Sequence, residues 1–301
     1  MTIIDKLKQV QKQGGFTQSD LANQLMVSFP TINSWLLGKS LPRKKHIELI
    51  DHLYDQFFGL ESINQEELER VKNKVLSFYD DNWIENILKS KETLDQLLLK
   101  TTYHSNSIEG STLTEADTEA ILFQKKVIVN RTLVEQLEAI NHQKAFDYSL
   151  RIVINSSLKI SDVLEIHKLL MSGIIDNAGE FRNHPVRILG SYVPTANFLS
   201  IEKKITELIE DFNKPSSDKL EHIAKSHAMF EQIHPFSDGN GRVGRLLMLV
   251  MTLKFGLPPI IVLQEQKKAY YKYLQIAQLK EEYDLLAYFV AKSILESTKF
   301  L

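Results

Sequence analysis

Apolar positions recur at helical spacing through most of the chain, and polar residues fill the intervals. Ile3, Ile4, Leu7 and Val10 form a first stripe. Thr17 stands where it caps a second helix over 18–25. Ser28 stands where it caps a third that runs to Leu37 and stops at Gly38. Leu41-Pro42 then restarts the chain, and a polar stretch over 59–65 forms a soft boundary. Helical segments follow near 66–79 and 83–89. From Thr93 helices continue to the C-terminus with one interruption. There, in 179–194, Val186, Ile188, Tyr192 and Val193 stand among Gly190 and prolines, which predicts a short β-hairpin or irregular flap. No proline-free apolar run, Leu246 to Met251 included, approaches the roughly 20 residues that span a bilayer. The pattern predicts a mainly α chain with domains at 1–58 and 93–301, joined by a helical linker at 59–92.

Composition adds limits. With 43% hydrophobic and 25% charged residues among 301, a sizeable core is available. A net charge of -2 argues against a basic surface over the whole molecule. The absence of cysteine excludes disulfides and thiolate metal sites. The first residues lack the basic, apolar and cleavage regions of a signal peptide, so the expected setting is cytoplasmic, with no membrane partner. The oligomeric state stays open, a homo-oligomer included.

The segment from Thr17 to Leu25, with Val27-Ser28, Ile32, Trp35 and Gly38-Lys39, resembles the phage-repressor helix-turn-helix family. Ala22, Val27 and Ile32 fit its small or apolar packing positions. The resemblance implies that the third helix enters the major groove of DNA and the second crosses the backbone. Gln18 is then placed to bond phosphate. Ser28, Thr31, Asn33 and Ser34 are placed to reach bases or phosphates, and Arg43, Lys44 and Lys45 form the one basic cluster. Phe29-Pro30 departs from the pattern, standing where polar base-contacting residues are usual. Residues 1–58 hold seven Lys and Arg against five Asp and Glu, so a helical scaffold or protein-docking domain is the competing reading.

The densest chemistry lies in 234–245, His-Pro-Phe-Ser-Asp-Gly-Asn-Gly-Arg-Val-Gly-Arg. Gly239 and Gly241 flank Asn240, which lets backbone N–H groups turn inward as an anion cradle. A helix is expected to begin near Arg242, its positive end facing the same space. Arg242 and Arg245, three apart, share a helix face and suit bidentate phosphate binding. Asp238 is a hard oxygen ligand for Mg²⁺ that carries phosphate. His234 is the side chain most readily neutral at physiological pH and is a candidate general base.

This run matches the signature of the Fic family. The resemblance implies a helical bundle with a small hairpin flap, and transfer of AMP from ATP to Ser, Thr or Tyr hydroxyls of a protein target or of the chain itself. It implies that His234 deprotonates the hydroxyl, Phe236 anchors the loop and Asp238 holds Mg²⁺. Gly239, Asn240, Gly241 and Gly244 then shape the nucleotide loop, Arg242 takes the β-phosphate and Arg245 the γ-phosphate. Gly241 separates the chain from the shorter, phosphate-transferring toxins of the fold, which carry Lys there. Downstream, Tyr270 and Tyr271 match an aromatic pair that borders adenine in similar proteins, and Gln278 stands where Asn is frequent. The flap resembles a family hairpin beside the active site, where a protein target docks by adding a strand.

Upstream, Ser105-Asn-Ser-Ile-Glu109-Gly110 matches the family's inhibitory pattern. Ser105 and Glu109 are i and i+4 on one helix face, and Gly110 is a helix terminator. The resemblance implies that Glu109 pairs with Arg245 and denies it to the γ-phosphate. The same Glu positions water for AMP removal in some similar proteins. Two other readings compete: an ATP-sensing, DNA-binding autoregulator, and an enzyme that moves another phosphate-linked group through the same loop.

Overall fold

The computed structural model describes residues 1–14, 16–155, 157–188 and 191–301. The chain divides into two compact units. One holds Met1–Ser62 and Glu265–Tyr273, the other Ile63–Gln264 and Leu274–Leu301. Residues 63–92, read from sequence as a linker, thus fall in the second unit.

The first unit is built from α1 (Ile3–Gly14), α2 (Gln18–Gln24), α3 (Phe29–Leu36) and α4 (Lys44–Phe58). Thr17 caps α2 through a capping box with Asp20: each side chain accepts the other's backbone N–H. Ser28 has cap backbone geometry, but its hydroxyl bonds Thr31 Oγ1 at 2.8 Å instead of capping. Pro30 sits in the first turn of α3, where its missing N–H is no loss. Gly38, at φ +69°, turns the chain out of α3. Leu7, Val10, Leu21, Ile32, Trp35 and Ile50 close the core of this unit. Tyr273 belongs to it too, its hydroxyl accepting from the Leu60 N–H.

The second unit opens with α5 (Gln65–Leu76), α6 (Trp83–Lys89), α7 (Lys91–Glu109), α8 (Glu115–Gln124), α9 (Leu133–Asn155) and α10 (Ile160–Met171). It continues with α11 (Ile201–Phe212), α12 (Lys219–Ile233) and α13 (Asn240–Lys254). Helix α14 (Lys267–Lys280) enters the second unit at Leu274, and α15 (Asp284–Ser297) closes it. Helix α13 is the axis: it packs against α7, α9, α10 and α12. Its run from Leu246 to Leu253 is buried throughout, which is why the sequence there is almost wholly apolar and not striped. It starts at Asn240, two residues earlier than expected, because Gly239 caps it in the left-handed region at φ +80°. Helix α7 ends where the sequence predicted. Gly110 takes φ +108°, and Ser111 donates back to the Asn106 carbonyl at 3.0 Å.

The expected hairpin is not formed: no strand occurs among the described residues of 179–194 or elsewhere in the described chain. Residues 189 and 190, where a hairpin tip would fall, lie outside the described residues. The backbone groups of the segment find other partners. The buried Arg182 side chain donates to the carbonyls of His184, Ala196, His234 and Ile233. The Arg182 N–H bonds the Pro235 carbonyl at 2.9 Å, and Thr195 Oγ1 reaches the Val186 carbonyl. Pro185 and Pro194 each lack a ladder donor. A guanidinium cross-brace thus replaces strand pairing, and it ties the segment to the end of α12.

Candidate active site

Helix α12 delivers His234 at its C-cap, in a left-handed backbone conformation with φ +51°. That conformation is costly for a residue with a Cβ and is held by its surroundings. Arg182 Nε donates to the His234 carbonyl at 2.7 Å. His234 Nδ1 lies 3.2 Å from the Glu231 carbonyl, which can only accept. Nδ1 therefore carries the proton and Nε2 keeps the lone pair. Burial holds the imidazole below its ordinary value, so it is neutral at physiological pH.

The loop that follows is locked from within. Phe236 is fully buried and stacks on His167 of α10, with ring centroids 3.7 Å apart. His167 Nδ1 accepts from the Gly179 N–H at 2.9 Å, so its Nε2 carries the proton and donates to the Asp238 carbonyl at 3.1 Å. One imidazole thereby joins the flap, α10 and the loop. Burial depresses its value to about 4, which keeps it neutral in that role. Asn240 spends its side chain on the loop itself. Its Oδ1 accepts from the Phe236 N–H and its Nδ2 donates to the Phe236 carbonyl, both at 2.9 Å. Gly239 is needed both for its φ and for its closeness to Met171, whose Sδ would lie 2.8 Å from an added Cβ.

Arg242 and Arg245 are both buried, and each faces a carboxylate. Arg242 donates to Glu138 of α9 at 2.5 Å and lies 3.7 Å from Asp238 Oδ1. Arg245 donates to Ser105 Oγ at 2.9 Å, to the Ser105 carbonyl at 3.0 Å and to Glu109 Oε1 at 2.6 Å. A Cβ on Gly241 would overlap Glu109 Oε1. The Glu109 carboxylate thus sits against the first turn of α13, where the helix N-terminus and Arg245 together attract an anion.

Asp238 is exposed, and its Oδ1 accepts from the Gly239 N–H at 2.6 Å. Among the described residues no group of three or more His, Asp and Glu forms a metal site of its own. A divalent cation there would depend on phosphate oxygens beside Asp238, which is the coordination Mg²⁺ takes up in nucleotide sites. Tyr270 is buried, and its ring centroid lies 5.1 Å from that of the half-exposed Tyr271 within the first unit. Gln278, in the second unit, donates to the Ala228 carbonyl of α12 at 3.2 Å.

Sequence reading missed His167, Arg182, Glu138 and Glu231, each of which touches the 234–245 stretch. Only Arg182, in a Gly-Glu-Phe-Arg run, stood within a segment already singled out. In the first unit, Gln18, Thr31, Asn33 and Ser34 are partly exposed, and Arg43 and Lys44 are exposed at the start of α4. The Ser34 hydroxyl pairs with Ser40 at 2.7 Å.

Comparison with known proteins fits both units. Residues 157–252 match the Fic/DOC family, and residues 7–55 match a helix-turn-helix family. A protein adenylyltransferase Fic from Culex quinquefasciatus is 31% identical over 226 residues, which are 72% of this chain and 44% of that protein. One from Aedes aegypti is 29% identical over 78% of this chain and 46% of its own. The chain thus spans about half the length of the curated relatives it matches. Fic-1 from C. elegans superposes with a TM-score of 0.64 at 22% identity, over 99% of this chain and 86% of its own. A Fic domain containing signaling protein from Bacteroides thetaiotaomicron gives 0.64 at 21%, over 77% and 95%. The fold is that of Fic-domain structures, preceded by a helix-turn-helix domain.

Proposed function

We propose that the chain is a protein adenylyltransferase that is held inactive by Glu109. The observation that carries this is the pair of buried guanidiniums, Arg242 and Arg245, on the first turns of α13 beside a neutral His234. The curated relatives named protein adenylyltransferase support the same reading.

In this reading the α13 N-terminus and the loop amides of 239–241 receive the α-phosphate and stabilise its growing negative charge. Arg242 exchanges Glu138 for the β-phosphate, and Arg245 exchanges Glu109 for the γ-phosphate. The target hydroxyl oxygen attacks the α-phosphorus in line, and its proton passes to His234 Nε2. The bond from the α-phosphorus to the bridging oxygen breaks, pyrophosphate leaves, and AMP stays on the target. Asp238 is the residue that would hold Mg²⁺, which when bound neutralises charge on the phosphates. Tyr270, Tyr271 and Gln278 are the adenine-side candidates, and the 179–194 flap is the surface for the protein target.

Incubation of Glu109→Gly protein with Mg²⁺ and ATP labelled at the α- or the γ-phosphorus tests this. Label on protein from the α position alone is the expected result. Label from the γ position would mean phosphate transfer, and no label from either would favour a nucleotide-sensing role.

A second role rests on the helix-turn-helix match at 7–55. We propose that the first unit binds DNA through α3, with Gln18, Ser28, Thr31, Asn33 and Ser34 near the groove and Arg43 and Lys44 on phosphates. Charge removal at Arg43 and Lys44 should then weaken DNA retention by the whole chain. It should also lower the salt dependence by about 0.9 per lost phosphate contact. An unchanged salt dependence would point instead to a protein-docking role.

A further inference from the structure

Glu231 is a titratable side chain that the transfer chemistry above does not use. It lies in the last turn of α12, three residues before His234, and is 6% exposed. Its backbone carbonyl faces His234 Nδ1, while its carboxyl turns onto α13. A Cβ on Gly244 would overlap Glu231 Oε1 and come within 3.0 Å of the His227 ring. Gly244 therefore opens the notch that the carboxyl fills, one residue before Arg245. Oε1 is buried and has no hydrogen-bond partner among the described residues. An ionised carboxylate left in that state is expensive, and the neutral acid is far less so. Burial pushes the group up to about 8, opposed by Arg245 on α13 and assisted by Glu109 on α7. His227, one turn back on α12, is the other titratable group at the notch. Burial, and then Arg245, hold it neutral at about 3.

We infer that Glu231 is a positioning residue for Arg245: it fills the notch at Gly244, one residue before Arg245, without claiming the guanidinium's charge. Arg245 is thereby left to Glu109 in the closed site and to the polyphosphate in the open one. Ionised, Glu231 would compete with the γ-phosphate from inside the protein and act as a second brake. This inference rests on the reading that Arg245 holds the γ-phosphate.

The test is nucleotide affinity against pH in whole-chain Glu109→Gly protein. The probe is an ATP analogue with a methylene between the α- and β-phosphorus, at fixed Mg²⁺. If only the neutral acid permits binding, Kd should rise severalfold between pH 7.5 and 9, following the loss of the competent fraction. The Glu109→Gly, Glu231→Gln double variant should show no such rise. Glu231→Met, similar in volume and uncharged at any pH, supplies the same arm if the Gln variant fails to fold. An equal rise in parent and variants would overturn the inference while leaving the transfer reading intact. Absence of binding in all of them would remove both together.

Discussion

Glu109→Gly should cost the nucleotide-free protein stability and give it activity. Glu109 Oε1 lies 2.6 Å from Arg245 NH2, with Arg245 5% and Glu109 32% exposed. Removing one partner of a fully buried pair costs about 3–5 kcal/mol. The exposure of Glu109 and the two bonds that Arg245 keeps to Ser105 reduce that to about 2 kcal/mol. For a domain of this size the expected fall in Tm is roughly 4–8 °C. ATP with Mg²⁺ should then return the loss, because a phosphate takes the place of the carboxylate. At 100 times Kd the ligand supplies about 2.7 kcal/mol. Thermal denaturation with and without nucleotide, read beside intact mass, measures both effects. Arg245→Ala in the same protein should abolish the gain in transfer, and the two substitutions should be non-additive, since the residues touch. If Glu109→Gly changed neither the ATP-induced shift nor the rate of transfer, the inhibitory reading of this pair would be wrong.

Three further outcomes follow from the same geometry. His234→Ala should lower AMP transfer by about 100- to 10,000-fold, with nucleotide affinity retained; near-normal transfer would remove it as the base. Gly244→Ala should destabilise by about 1–3 kcal/mol in chemical denaturation, because its Cβ meets Glu231 and His227; wild-type stability would show that this notch is slack. The stability linked to Glu231 should depend on pH. Its folded value of about 8 is raised above the ordinary carboxyl range, so that stability is present at acid pH and lost as pH rises through 8. The Tm of Glu231→Gln relative to the parent should therefore climb between about pH 5 and 8 and level off above that, and a constant difference would contradict the assignment.

Local signals carried much of this fold into the sequence. Thr17 with Asp20, Gly38 after α3, and Gly110 after Glu109 each act within a few residues, so their spacing can be read directly. The 234–245 stretch was legible for the same reason, because its loop, capping glycine and two arginines are contiguous. What escaped reading is long-range. Glu138 meets Arg242 across 104 residues, and His167 meets Asp238 across 71, and nothing near either residue marks the pairing. The Glu109–Arg245 pair spans 136 residues, and only the family resemblance suggested it. The flap misled because alternating β-branched residues do signal a strand. A single buried Arg182 took up the carbonyls that a partner strand would have used. The side-chain amide of Asn240 shapes the loop of 234–245 by holding both backbone groups of Phe236, a detail its spacing alone does not specify.

The most direct measurement is the fate of α-labelled ATP on Glu109→Gly protein and on the Glu109→Gly, His234→Ala double variant, assayed side by side with added candidate targets. AMP transfer requires both an open γ-phosphate site and a base for the hydroxyl. The account therefore predicts label on protein with the first variant, a gain in intact mass of one AMP, and at least a hundredfold less label with the second. Equal labelling by both, or none by either while nucleotide still binds, would contradict it.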